Sequence, residues 1–282
     1  MKYKIDYKKY GFDGVMYPAK DRFDKVLIVI SGSEGGLEHA EKMAKFFQQN
    51  GVPALAAGYF RTKNTPKFLD RIPVEYIDRA FRFLKEQGYE KVGIQGISKG
   101  AEYAALAAIH NPEITCVILK TPSWFYSEGL AGKHTSGTSC WTAEGTEVPF
   151  TPYKIRSFNL LASFRETGEY NLLKMNTGKD VTEESVIPVE KINGPVLLFS
   201  TNADNVWPSA ESGKRLAERL QKSSFSFPYQ HICYEYMCHF MLENANRMTR
   251  LISKSEKQYP EECAEERRDM GRRTIEWVEK VW

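Results

Sequence analysis

Ser98 stands between Gly96 and Gly100 in the run Gly96-Ile97-Ser98-Lys99-Gly100, and these residue types at this spacing suit nucleophilic chemistry. A serine hydroxyl is a poor nucleophile by itself. It becomes a good one when a histidine takes its proton and a carboxylate holds that histidine in the correct tautomer. The two glycines have a mechanical purpose: a turn tight enough to expose the hydroxyl leaves no room for side chains against the neighbouring strand and helix. The flanks fit such a turn. Lys91 to Gln95 alternates like a short strand, and Ala101 to Ile109 is rich in helix formers whose free N-terminal amides would face developing negative charge. The competing reading is an ordinary serine in an incidental glycine-flanked turn.

In a site of this kind the partners follow the serine in the order acid, histidine, each just beyond the carboxyl end of a strand. His39 and His110 belong to helices or their ends, His134 lies in an irregular segment and His231 sits inside a strand, which leaves His239, in a loop after the last strand, as the base. Asp204 follows the apolar strand Val196 to Ser200 and precedes the helix start at Pro208-Ser209; it is the expected acid, with an ordinary Asx-turn residue as the alternative. Two backbone N–H groups should receive the oxyanion, that of Lys99 and one from the loop Ser31-Gly32-Ser33-Glu34-Gly35-Gly36, assigned to Ser33. That loop lacks the Gly-Lys-Ser/Thr ending of a phosphate-binding loop and the full dinucleotide spacing, so nucleotide binding is not expected. A zinc site built from His231, Cys233, Cys238 and His239 is disfavoured, because the spacing fits poorly and it would deprive Ser98 of its base. No metal and no cofactor are expected.

These residues must be positioned by the elements around them. Phe12 to Tyr17 reads as an early antiparallel strand, and Lys25 to Ile30, Val52 to Ala57, Ile114 to Leu119 and Val196 to Ser200 read as buried strands, with Gln230 to Tyr236 last. Between them, helical spacing runs from Leu37 to Gln49, from an opening at Pro73 to Gly88, and from Ala210 to Gln221; a long amphipathic helix closes the chain. Strands alternating with helices predict an α/β fold, a mostly parallel sheet with helices on both faces, as a single domain over residues 1–282. Residues 121–191 break the rhythm. This polar, aromatic stretch is too long for a plain connection and is expected to be a lid or substrate-pocket insertion, with Trp124, Phe125, Trp141 and Phe150 as candidate walls.

Composition narrows the class further. The chain has 282 residues and a formal net charge of +3, too small to suggest nucleic acid or membrane attraction. Neither a secretory leader nor an apolar run of ~18 residues is evident. Five scattered cysteines read as reduced thiols, so a cytoplasmic protein acting on a small molecule is the expectation.

The chain contains Gly-Ser-Glu-Gly-Gly-Leu-Glu at 32–38, Ala-Leu-Ala-Ala-Gly-Tyr-Phe at 54–60, Gly-Ile-Ser-Lys-Gly-Ala-Glu at 96–102, Ile-Pro-Val-Glu at 187–190, Ala-Asp-Asn-Val-Trp-Pro-Ser at 203–209 and Cys-Tyr-Glu-Tyr-Met-Cys-His-Phe at 233–240. Together these segments resemble the carboxyl-terminal catalytic domain of acyl-CoA thioesterases and bile acid-CoA:amino acid N-acyltransferases, within the α/β-hydrolase superfamily. The resemblance implies an α/β-hydrolase fold, an acyl thioester or ester substrate, and Ser98, Asp204 and His239 as catalytic residues. The acyltransferases of that family use cysteine as nucleophile, so serine at 98 implies water as the acyl acceptor. A carboxylesterase of the dienelactone-hydrolase type, an N-acyltransferase and a silent acyl-binding relative are the alternatives. Glu34 stands where the family often has glycine, and a carboxylate there should point away from the oxyanion or meet a cationic group.

Overall fold

Val26 to Ile30 are wholly shielded from solvent, and their alternation splits the core in two. Val26, Ile28 and Ile30 pack with residues of the Glu75–Glu86, Lys99–His110 and Ser209–Lys222 helices. Leu27 and Val29 pack on the other face with Ala40, Met43, Ala44 and Phe47 of the Glu38–Gln49 helix and with Met270 of the Pro260–Glu276 helix. A strand buried on both faces needs helices on both. The computed structural model describes residues 2–20, 22–173, 180–243 and 247–282, and among these no helix is long and apolar enough to cross a membrane.

Numbering strands in chain order, the principal ones are β1 (Tyr3–Ile5), β2 (Asp13–Tyr17), β3 (Lys25–Ile30) and β4 (Ala54–Gly58). A short β5 (Ile72–Pro73) precedes β6 (Lys91–Ile97) and β7 (Ile114–Lys120). Next come β8 (Glu128–Ala131), β9 (His134–Ser139), β10 (Trp141–Ala143) and β11 (Thr146–Glu147), and then β12 (Val196–Thr201) and β13 (Tyr229–Tyr234). The main sheet has the order β1-β2-β4-β3-β6-β7-β12-β13. Its pairs from β4 to β13 are parallel, whereas β1 and β2 run antiparallel at one edge. This is the α/β architecture read from the sequence. Parallel order sends the carboxyl ends of β3, β6, β12 and β13 to one side, so the loops after them meet there.

Two local readings are corrected. Pro73 does not open a helix: Ile72 and Pro73 pair with Trp141 and Thr142, and the helix begins at Glu75. Residues 121–191 are also far from featureless. They contain the β8–β9 hairpin, the β10–β11 hairpin whose inner strand joins β5, and a helix at Leu160–Thr167, while residues 174–179 lie outside the described part.

Candidate active site

The turn between β6 and the Lys99–His110 helix is as tight as its glycines imply. Ser98 has φ 58° and ψ −125°, a conformation costly for any residue with a β-carbon. A β-carbon on Gly96 would lie 2.0 Å from the Gly100 carbonyl oxygen, and one on Gly100 would lie 2.1 Å from the carbonyl oxygen of Ser31. Both contacts are with backbone and cannot yield cheaply. Gly100→Ala is therefore expected to cost about 3 kcal/mol or more in denaturant unfolding. A loss within about 1 kcal/mol of the native protein would contradict this packing.

The loops after β12 and β13 bring the two expected partners to Ser98. His239 Nε2 lies 2.9 Å from Ser98 Oγ, and its Nδ1 lies 2.9 Å from each carboxylate oxygen of Asp204. All three side chains are buried. Asp204 is pre-set by its own turn, since Oδ1 accepts the backbone N–H groups of Val206 at 2.9 Å and Trp207 at 3.1 Å. The Asx turn and the contact with His239 thus coexist on one carboxylate. The imidazole also packs edge-on against Trp207, with ring centroids 4.8 Å apart, and its backbone is held by Asn205 Oδ1 and Thr121 Oγ1 at 3.3 Å each. A hydroxyl so placed can pass its proton to Nε2 while the carboxylate fixes the proton on Nδ1.

The loop after β3 lies against the same serine. A β-carbon on Gly32 would stand 3.0 Å from Ser98 Cβ. Among the described residues neither the Lys99 nor the Ser33 backbone N–H meets a protein acceptor, so both can receive an oxygen from a bound molecule. The buried Tyr59 hydroxyl sits 2.9 Å from both the Ser31 and the Gly32 carbonyl oxygens and fixes the loop from below. Sequence reading overlooked Tyr59. Its position directly after β4, in register with the loop that follows β3, was the available signal.

A cavity of about 490 Å³ opens above Ser98 and His239. Its apolar walls include Phe60, Phe158, Tyr170, Leu172, Val206 and Phe240, and Arg61, Lys67 and Lys133 also border it. The four aromatic residues expected as walls lie elsewhere. Trp141 is fully buried, stacked on Tyr103 at 4.8 Å with its indole N–H donating to Glu102 Oε2 at 3.2 Å. Trp124 and Phe125 pack edge to face and line a separate cavity of about 30 Å³, and the half-buried Phe150 does not border the large one. An indole whose N–H finds a buried carboxylate has a better place in the core than in an open cleft. Val206, Trp207 and Phe240 could have been found by their adjacency to Asp204 and His239.

The Lys99 side chain is bound into the core. It is 1% exposed and its ammonium lies 3.2 Å from Glu102 Oε1 and 3.2 Å from Cys140 Sγ, with a further bond to Ser127 Oγ. Burial opposes the Lys99 charge, but the surrounding Cys140, Glu102 and Tyr153 outweigh it and raise the pKa. Burial pushes the Cys140 thiol up to about 12, so the compensating charge is Glu102. Glu102 in turn accepts from Ser127 N–H at 3.1 Å, Ser127 Oγ at 3.0 Å and the Trp141 indole. The Ser-Lys-Gly-Ala-Glu run thereby joins the Ser98 turn to the 121–191 segment. Elsewhere His231 bonds Ser200 Oγ at 2.7 Å, while His239 is engaged with Ser98 and Asp204.

The geometry can be set beside known proteins. Residues 72–243 match the family model described as BAAT / acyl-CoA thioester hydrolase C terminal. Acyl-coenzyme A thioesterase 6 of Mus musculus is 25% identical over 210 residues, covering 72% of this chain and 45% of that protein. The peroxisomal succinyl-coenzyme A thioesterase of the same species is 23% identical over 198 residues, covering 69% of this chain and 44% of its own length. The chain thus spans about half the length of the curated relatives it matches. Among solved structures, a candidate dienelactone hydrolase of Klebsiella pneumoniae is similar over 99% of this chain and 98% of its own, with TM-score 0.58 and 14% identity. The Pyrococcus furiosus esterase Pf2001 is similar over 96% of this chain and 87% of its own, with TM-score 0.55 and 14% identity. The sheet order and these likenesses agree on an α/β-hydrolase fold. With the family model matching well over half of its residues, the chain belongs to the BAAT and acyl-CoA thioester hydrolase carboxyl-terminal family.

Proposed function

We propose that this protein is a serine hydrolase that cleaves acyl thioesters, with Ser98 as nucleophile, His239 as general base and acid, and Asp204 as the group that orients His239. The unbroken hydrogen-bonded row from Ser98 through His239 to Asp204, at the floor of an apolar cavity, carries this reading. In the acylation step His239 Nε2 takes the Ser98 proton as Oγ bonds to the carbonyl carbon. The carbonyl oxygen becomes an oxyanion accepted by the Lys99 and Ser33 N–H groups. Collapse breaks the carbon–sulfur bond, and the departing thiolate takes the proton from His239. Water then attacks the acyl-serine, gives its proton to His239, and the acid is released as that proton returns to Ser98.

Family membership favours a thioester, and the rim agrees. Arg61, Lys67 and Lys133 border the cavity, where a leaving group rich in phosphate would extend toward solvent. A thiolate of pKa ~8.5 also needs little help from a general acid. We read residues 121–191 as the lid of this site, because Tyr153, Phe158, Leu160, Tyr170 and Leu172 all come from it. Comparing acyl-CoA thioesters with p-nitrophenyl esters of the same acyl groups tests the assignment. Higher kcat/KM for the thioesters, declining as salt screens the rim cations, is the expected result. Faster turnover of the esters with no salt dependence would instead point to a carboxylesterase.

A further inference from the structure

The cavity holds a carboxylate that the proposed reaction leaves unused. Glu34 follows Ser33 in the loop after β3, and both Glu34 and its neighbour His39 line the space above Ser98. One oxygen of this carboxylate is fully engaged: Oε1 accepts the Gly32 backbone N–H at 3.1 Å and lies 2.8 Å from His39 Nδ1. The other oxygen is open. Among the described residues Oε2 has no hydrogen-bond partner, although Arg61 is close enough to donate Nη1 to the Glu34 backbone carbonyl at 2.9 Å. Oε2, on a side chain that is 38% exposed, also approaches the glycine that packs against Ser98. A β-carbon on Gly32 would sit 2.9 Å from Oε2 and 3.0 Å from Ser98 Cβ, so the two side chains flank the same glycine.

Such an acceptor beside a reacting carbonyl must be matched or it obstructs. An unpaired carboxylate oxygen repels a developing oxyanion, and covering it with a plain hydrocarbon chain strips its water without replacement. His39 answers the first difficulty. The hydrogen bond to Glu34 raises the His39 pKa against the opposing effect of burial, so its ring tends to carry the compensating positive charge. The second difficulty is answered only by the substrate. We propose that Glu34, held in place by His39 and Gly32, is a specificity residue of this site, its Oε2 accepting a hydrogen bond from a donor that the acyl chain carries close to its carbonyl. The substrate class is then a hydroxyacyl or aminoacyl thioester rather than a plain fatty acyl one, a conclusion that rests on the hydrolase reading above. A site with a built acceptor discriminates against the analogue that lacks the donor, because its own polar group is left unpaired.

The test uses butyryl, 2-hydroxybutyryl and 3-hydroxybutyryl thioesters of coenzyme A, which differ only in the donor. For the native protein, kcat/KM for the better hydroxyacyl thioester should exceed that for butyryl by about tenfold, the scale of one hydrogen bond to a charged acceptor. In Glu34→Ala and Glu34→Gln that ratio should fall toward one, whatever happens to the absolute rates. A native ratio near one, or a ratio that both variants preserve, would overturn the proposal. The same three thioesters bound to Ser98→Ala, where they persist uncleaved, give Kd ratios with and without the Glu34 change. If the native protein cleaves none of them the thioesterase reading fails, whereas the Kd ratios still decide the role of Glu34.

Discussion

Ser98→Gly is expected to abolish turnover, by about 10⁴-fold or more, and at the same time to raise the melting temperature by a few degrees. The loss follows from removing the only atom proposed to attack the substrate. The gain follows from the backbone. Serine at φ 58° and ψ −125° holds strain of roughly 1–3 kcal/mol, and glycine relieves it at an entropic cost of roughly 0.5–1 kcal/mol. Ser98→Ala separates the two effects, because alanine also removes Oγ but keeps the β-carbon and therefore the strain. Both variants should lose fluorophosphonate labelling, and only the glycine variant should melt above the native protein by calorimetry. A glycine variant that melts no higher than the alanine variant would remove strain from the account of this turn. The expectation generalises a physical point: the conformation that presents the hydroxyl is one the fold must hold against its own preference.

The second large effect concerns stability. Lys99→Met should destabilise the protein by about 3–5 kcal/mol, because it strands the Glu102 carboxylate in a site closed to solvent. Surface ion pairs would not behave this way, since water compensates the survivor. Combining Lys99→Met with Glu102→Gln should recover more than half of the loss: the neutral amide can still accept from Ser127 N–H or the Trp141 indole, and no buried charge is left alone. Urea unfolding of the two single variants and the double variant measures this coupling. Simple additivity would show that the pair contributes no mutual stabilisation. Activity should fall along with stability in Lys99→Met: methionine keeps the backbone N–H proposed for the oxyanion but loses the buried ammonium that holds this residue in place. Its side chain also anchors the segment that carries part of the cavity wall.

Much of the candidate site was legible because it depends on short-range sterics or on the direction of strands. Gly96 and Gly100 are required where a turn brings backbone within 2.1 Å of a hypothetical β-carbon, a demand visible in five residues. Asp204 and His239 were reachable because parallel strands deliver the loops that follow them to one edge of the sheet, however far apart they lie in the chain. Trp124, Phe125, Trp141 and Phe150 were not placed correctly. A stretch without period 2 or 3.6 reveals that aromatic residues are present but not which way they face. Pro73 shows the same limit. It looks like a helix opener until a distant strand, β10, pairs with it.

By itself the sequence determined the alternation of strands and helices, the sharp turn at Ser98, and the loops from which an acid and a histidine would come. These are consequences of hydrophobic period, glycine sterics and sheet polarity, which act over neighbouring residues. The tertiary structure alone decided which side chains meet across the 121–191 segment. It placed Lys99 and Glu102 together in the core with Ser127, Cys140 and Trp141, built the cavity from Tyr170, Leu172 and Phe240 instead, and left one oxygen of Glu34 open beside Ser98. The reason is physical: a buried polar or aromatic group settles where its hydrogen bonds and packing are jointly satisfied, and those partners exist only once distant segments have come together.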